Sequence, residues 1–322
     1  MNTKKVVAGI DVGGTHTKIG FADNEGNIFS ERTLLTRDYK VFDEFVKAIS
    51  NTIEQMKNNI AGVELAGIGI GAPDGNYYKG TIEFAPNLPW KENLQFVDKL
   101  KGFYPSIPIL LTNDANAAAI GEMVYGGAKG MKNFLVVTLG TGLGSGFVAN
   151  GEMIYGHDSF AGELGHVIIE KNGRQCACGR KGCLETYVSA TGICRTVSEL
   201  LATTILDSEF RDKEANKIES KDIAKAAEQG DELAKMAFEV TGERLGLALA
   251  NAVAITSPEA IFLFGGLAKA GDLILKPAQK AMEENMLKFW KNKIKLQMSH
   301  LQDKDVAVLG AAALAWEVIN NK

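Results

Sequence analysis

A chain of 322 residues is long enough for two domains of ordinary size, each burying its own core. With 46% hydrophobic and 23% charged residues, and no apolar run near the roughly 18 residues of a membrane span, the composition is that of a soluble globular protein. A formal net charge of −4 leaves no basic footprint, so neither a nucleic acid nor a membrane is an expected partner.

The N-terminus runs from Met1 to Lys5 into Val6-Val7-Ala8-Gly9-Ile10, which Asp11 interrupts too soon for a signal peptide, so a cytoplasmic location is expected. This apolar run is predicted as a buried strand delivering the turn Asp11-Val12-Gly13-Gly14-Thr15 to one edge of a sheet. Phe42, Phe45, Val46, Ile49, Ile53 and Met56 then recur at helical spacing. Pro105-Ser106-Ile107-Pro108 is a candidate linker before the strand Ile109-Leu110-Leu111-Thr112, which leads through Asn113-Asp114 into a helix ending near Tyr125. A second strand and glycine turn follow in Phe134-Leu135-Val136-Val137-Thr138 and Leu139-Gly140-Thr141-Gly142-Leu143-Gly144. Residues 20–28 align with residues 146–154 at glycine, phenylalanine, asparagine and isoleucine, so the chain carries two versions of one α/β unit. Further on, residues 233–253 are helical, Ala260-Ile261-Phe262-Leu263-Phe264 is a third strand ending in Gly265-Gly266, and residues 311–319 form a last helix. Strands alternating with helices place the fold in the α/β class, with parallel or mixed sheets covered by helices.

Glycine turns suit polyphosphate because backbone N–H groups approach its oxygens with no Cβ between, and Thr15, Thr17 and Thr141 add hydroxyl donors. Asp11 could orient a water-bound Mg²⁺, and Lys18 could offset phosphate charge. A tight hairpin with no ligand is the competing reading of either turn alone, and neither is a P-loop; His16 is read as a solvent-facing turn residue. Asp114, at a strand-to-helix junction, is either a helix N-cap or a carboxylate that accepts the proton of an attacking hydroxyl. In Gly162-Glu163-Leu164-Gly165-His166, Glu163 and His166 are three apart and share one face of a helical turn, a pairing suited to sugar hydroxyls or to a solvated surface turn.

Cys176, Cys178 and Cys183 fall within eight residues, with His166 ten residues upstream. A C-x-C pair is poorly placed to bridge itself and cytoplasmic thiols stay reduced, so a closed tetrahedral Zn²⁺ site is preferred to a redox or free-thiol cluster. With one His166 nitrogen on zinc, the other is fixed in direction and can meet a sugar hydroxyl. Cys194 reads as a small buried hydrophobe.

Asp11-Val12-Gly13-Gly14-Thr15, Asn113-Asp114, residues 139–144, residues 162–166, the cysteine run through Gly182-Cys183-Leu184-Glu185, and Phe264-Gly265-Gly266 occur in the order of one family. The chain resembles, nearly end to end, the ROK family (repressors, open reading frames, kinases), and is most similar to its bacterial glucokinases. The resemblance implies an actin-like ATPase (ribonuclease H-like) fold, two lobes around a central cleft, and ATP with Mg²⁺ between them. The expected lobes are residues 1–112 plus 306–322, and residues 113–305 with a zinc-binding segment over 166–183. It implies Asp114 as catalytic base, Asn113, Glu163, His166 and Glu185 on sugar hydroxyls, and Ala72, Pro73 and Asn87 as further sugar-side contacts. The nucleotide would meet Asp11, Gly13, Gly14, Thr15, Thr17 and Lys18 in the first turn, Thr138, Gly140, Thr141 and Gly142 in the second, and Gly265-Gly266 near the adenosine. His166, Cys176, Cys178 and Cys183 are the implied zinc ligands. Many members carry Gly where this chain has Asp74, which puts the local loop geometry in question. The activity implied is ATP-dependent phosphorylation of a hexose 6-hydroxyl, glucose first and N-acetylglucosamine or N-acetylmannosamine next, by a homodimer or homotetramer. The family's repressors carry a helix-turn-helix before the first turn, whereas ten residues precede Asp11 here, and the intact Asp114 argues against a non-catalytic sugar-binding regulator, so an enzyme is expected.

Overall fold

The structure, a computed structural model, describes residues 4–301 and 306–320. The chain first forms β1 (Lys4–Val12), β2 (His16–Ala22), β3 (Ile28–Leu35), α1 (Phe42–Asn58), β4 (Val63–Ala72), the short pair β5 (Gly75–Asn76) and β6 (Thr81–Ile82), α2 (Phe96–Lys101), β7 (Ile109–Asn113) and α3 (Asp114–Tyr125). Next come β8 (Phe134–Leu139), β9 (Leu143–Ala149), β10 (Glu152–Met153), α4 (Ala190–Thr203), α5 (Ser220–Glu228), α6 (Glu232–Thr256), β11 (Ala260–Phe264), α7 (Asp272–Asn285), β12 (Lys295–Met298) and α8 (Val306–Asn320).

Two compact units result. One holds the described residues of Met1–Gly130, Met153–Gly162 and His300–Lys322, the other Met131–Glu152 and Glu163–Ser299. Each is built on a five-stranded sheet, ordered β3-β2-β1-β4-β7 in the first and β10-β9-β8-β11-β12 in the second. β1 runs antiparallel to β2 and parallel to β4, and β8 runs antiparallel to β9 and parallel to β11. The repeat read from the sequence is thus realised as one strand order used twice, the arrangement of the actin-like ATPase fold.

In the first unit β1 and β4 are buried almost throughout because both faces of their sheet are covered, and their sequences are correspondingly near-continuous apolar runs. α1 covers one face with Phe42, Phe45, Ile49 and Ile53, where Phe45 and Trp90 lie 4.7 Å apart between ring centroids. On the other face α8 lies directly on the strands, and a side chain at Gly69 would run into the Ala311 carbonyl. α3 packs on α8 in turn, with Gly121 against the backbone of Gly310, so the first unit continues past residue 112 to Gly130. Residues 105–108 connect α2 to β7 inside this unit. The boundary expected between 305 and 306 adjoins residues 302–305, outside the described residues. In the second unit α4, α6 and α7 bury Ile193, Val197, Leu245, Leu249, Ile274 and Ala278 in one core with β8 and β11.

Candidate functional site

Strand register gathers the expected residues of the first unit at one edge of its sheet. Asp11 pairs with Gly71 across β1 and β4, and Gly71 and Ala72 pair with Thr112 and Asn113 across β4 and β7. This is the carboxyl edge of three parallel strands, where open α/β sheets bind ligands. The first glycine turn closes with the Gly13 amide donating to the His16 carbonyl at 3.0 Å. Gly14 sits so close under the Asn87 carbonyl that any side chain would collide with it, which brings the Asn87 loop against the first glycine turn. Asp11, Gly13 and Gly14 are half-buried, while Thr15, Lys18, His16 and Asn87 are exposed.

Asn113 takes the N-cap of α3, its side-chain oxygen accepting from the Ala115 amide at 2.9 Å. Asp114 Oδ1 accepts from the same amide at 2.8 Å, leaving Oδ2 without a hydrogen bond among the described residues. The residue is exposed. Protein nonetheless surrounds its carboxyl closely enough for desolvation to raise the pKa above the ordinary aspartate value, with the Ala115 amide opposing.

Two expected ligand contacts of this unit are corrected. Thr17 is fully buried because the alternation of β2 turns it inward, and its hydroxyl bonds Thr36 Oγ1 at 2.8 Å. Ala72 is likewise fully buried between β1 and β7, so its half-buried neighbour Pro73 presents the surface there. Asp74 adopts a left-handed backbone, with φ of 50°. A glycine takes that conformation without strain and aspartate is among the few side chains that tolerate it, so the exchange preserves the loop's backbone.

The second unit assembles its own set. Phe264 pairs with Thr138 across β11 and β8, and beyond them Gly265, at φ 107°, lies against the Leu139 backbone. The glycine turn is held from the side by α4. Ala190 N donates to the Gly140 carbonyl at 2.9 Å, and Thr191 Oγ1 to the Thr141 carbonyl at 3.0 Å. Glu185 Oε2 accepts from the Leu143 amide at 2.9 Å and occupies the space a side chain on Gly142 would need. Thr138, Gly140 and Gly142 are half-buried, and Thr141 and Gly266 are exposed.

Glu163 precedes and His166 ends a single turn of 3₁₀ helix over Leu164–His166, with the His166 amide donating to the Glu163 carbonyl at 3.1 Å. Ser145 Oγ on β9 accepts from the Leu164 amide at 3.1 Å and fixes this turn beside the glycine loop. His166, Cys176, Cys178 and Cys183 bring four ligand atoms within 4.8 Å of one another. For a metal held by thiolates at about 2.3 Å, tetrahedral edges are about 3.8 Å. Cys178 Sγ lies 3.6 Å from Cys183 Sγ, and Cys176 Sγ lies 3.8 Å from His166 Nδ1, so the donor set fits such an ion. Burial pushes the Cys183 thiol up to about 12, whereas at Cys178 burial is outweighed by hydrogen bonds from Arg180, bringing it down to about 6. Packed thiols resist joint ionisation without a cation among them. Cys194 is partly buried against the core of this unit.

The sequence reading passed over Ser145, Arg174 and Thr191. A signal existed for the last, since Ser189 before a helical run is an N-cap pattern, and its hydroxyl accepts from Gly192 N at 2.9 Å.

The model of the ROK family matches residues 7–318. The chain belongs to the ROK family. A glucokinase from Halalkalibacterium halodurans is 36% identical over 85% of this chain and 84% of its own length. One from Thermotoga maritima is 31% identical over 98% and 99%. Among solved structures, a ROK family glucokinase from Streptomyces griseus in complex with glucose and AMPPNP superposes with a TM-score of 0.79 at 30% identity, covering 97% of this chain and 99% of that one. No helix among the described residues is long and apolar enough to cross a membrane.

Proposed function

We propose that this ROK protein is an ATP-dependent hexokinase that phosphorylates the 6-hydroxyl of glucose. The observation that carries the reading is the division of labour at the start of α3. Asn113 satisfies the helix terminus, and Asp114 keeps one carboxylate oxygen for another partner. A carboxylate whose pKa is raised toward the working range is a better proton acceptor than an ordinary aspartate.

In the reaction, the sugar O6 forms a bond to the γ-phosphorus of ATP while the bond from that phosphorus to the β,γ-bridging oxygen breaks and ADP leaves. The proton of the hydroxyl passes to Asp114 Oδ2. Because phosphoryl-transfer transition states are loose, aligning O6 is as much a part of the role as accepting its proton. Asn113, Asn87, Glu163, His166 and Glu185 are the proposed partners of the sugar. The backbone amides of the two glycine turns, with Thr15, Lys18 and Thr141, are those of the phosphates, and Gly265-Gly266 receive the adenosine. Asp11, half-buried at the end of β1, would hold Mg²⁺, which supplies charge neutralisation on the β- and γ-phosphates. Zn²⁺ is the ion proposed for the Cys₃His cluster, where it orients His166 and takes no part in the transfer. The protein is further read as a cytoplasmic homodimer or homotetramer, on family resemblance.

A coupled ADP-release assay over a panel of hexoses tests the function. Turnover of glucose is the expected result. Exclusive turnover of N-acetylglucosamine or N-acetylmannosamine would reassign the substrate, and no turnover of any hexose would overturn the reading.

A further inference from the structure

The cysteine cluster and the second glycine turn lie on different segments of the second unit, and two sets of polar contacts join them. The first passes through Glu185, whose Oε1 lies 3.9 Å from Cys176 Sγ and whose Oε2 accepts from Leu143 N at 2.9 Å. The second passes through Arg174, which sits between the ligand-bearing positions His166 and Cys176 and is only 8% exposed.

All five guanidinium N–H donors of Arg174 are used. Nε and one terminal nitrogen bond the two carboxylate oxygens of Glu199 at 2.8 and 2.6 Å, and Thr196 Oγ1 accepts at 2.9 Å. The other terminal nitrogen donates to the carbonyls of Thr186 at 2.7 Å and Gly192 at 3.0 Å. The Arg174 main chain is pinned as well, its amide donating to Tyr187 Oη at 2.9 Å and its carbonyl accepting from Gly182 N at 2.8 Å, one residue before Cys183. The Tyr187 ring is held between the guanidiniums of Arg174 and Arg244, 4.4 and 4.5 Å from its centroid.

Every side-chain partner of Arg174 lies on α4 or in the segment leading to it. The first two residues of that same helix hold the Gly140 and Thr141 carbonyls. A planar fork with five satisfied donors fixes the loop against the helix in one orientation, which a point charge such as lysine cannot do.

We propose that Arg174 is a positioning residue that couples the Cys₃His cluster to the nucleotide turn through α4, so that metal occupancy sets nucleotide affinity. The metal then governs the donor side of the reaction as well as the sugar side. This rests on the nucleotide-binding reading of the second turn given above.

The test measures binding of a non-hydrolysable ATP analogue by calorimetry to the zinc-loaded and the chelator-stripped full chain, with bound zinc assayed in each sample. The expected result for the natural chain is a Kd at least about fivefold higher after stripping, within the range of ordinary site-to-site coupling. In Arg174→Lys that still holds zinc, the metal effect on the Kd becomes clearly smaller, the Glu185 contacts retaining the rest. Glu199→Ala, at a partly exposed partner on α4, should give the same loss of coupling and decides the matter where Arg174→Lys fails to fold or to load zinc. An unchanged Kd on stripping the natural chain, or an equal metal effect in natural and variant chains, would overturn the coupling while leaving the kinase reading intact. Failure of the zinc-loaded natural chain to bind the analogue at all would overturn both.

Discussion

The side chains of Asn113 and Asp114 converge on one amide, that of Ala115, at 2.9 and 2.8 Å. Either acceptor would suffice to cap α3, so the duplication makes Asp114 dispensable for the helix and available for chemistry. Asp114→Asn is therefore expected to lower kcat by about 10²–10⁴, the ordinary range for loss of a general base, while an ATP analogue still binds. Steady-state kinetics beside analogue calorimetry will check this, and a kcat within a few-fold of the natural chain would remove Asp114 from the role.

The raised pKa of Asp114 also sets a sign for stability. A group whose folded pKa lies above its unfolded value contributes stability that is fully present below the unfolded pKa, near 3.9, and lost as pH rises through the folded value. At pH 7 the ionised carboxylate thus works against the fold. Asp114→Asn should melt above the natural chain at pH 7, and the gap should close as pH falls below about 4. A melting temperature lowered at pH 7 would show that the carboxylate stabilises the native state.

The cysteine cluster gives a prediction that is independent of catalysis. Cys178 is exposed and adds no core packing, so Cys178→Ser should leave the apolar core unaltered and act only through the metal. Metal analysis should find about one zinc per natural chain and much less in the variant, with a lower melting temperature, because binding free energy at such a site is folding free energy. Equal melting temperatures after verified zinc loss would show that the segment holds its fold through Arg174 and its other hydrogen bonds alone.

Features encoded over short distances were legible in the sequence. The glycine turns and the strand-to-helix step at Asn113 depend on neighbours within a few positions, and the Cys₃His set lies within residues 166–183. What escaped depends on partners far along the chain. Thr17 reads as a turn hydroxyl until the pairing of β2 between β1 and β3 decides which way it faces. Arg174 carries no local signal of its role, since its partner Glu199 lies 25 positions away on α4. Glu185 was expected on the sugar, and nothing local shows that one of its oxygens is bonded to Leu143, 42 positions earlier.

The left-handed backbone at Asp74 ranks substitutions there. Asp74→Gly should raise stability by no more than about 0.5–1 kcal/mol, because relief of backbone strain is offset by the greater entropy of an unfolded glycine and by the loss of the aspartate side chain and its interactions. Asp74→Val places a β-branched side chain at φ 50° and should cost about 1–3 kcal/mol in denaturant unfolding. A neutral valine would mean that the loop relaxes out of this conformation.

Gly265 and Gly266 are adjacent, yet their surroundings predict opposite behaviour. A Cβ on Gly265 would strike the Leu139 backbone, and the residue sits at φ 107°, which an L side chain rarely adopts. Gly265→Ala should therefore cost about 1–3 kcal/mol of stability. Part of that loss would fall on the Leu267 amide, which donates to the Leu139 carbonyl at 3.0 Å and ties this loop to the end of β8. At Gly266 nothing stands within van der Waals reach of a Cβ, so the alanine variant should unfold within about 0.5 kcal/mol of the natural chain. If the open space over Gly266 receives the adenosine, the added methyl should weaken analogue binding with no change in melting temperature or in the KM for the sugar. Unaltered nucleotide affinity in Gly266→Ala would move the adenosine elsewhere on the second unit.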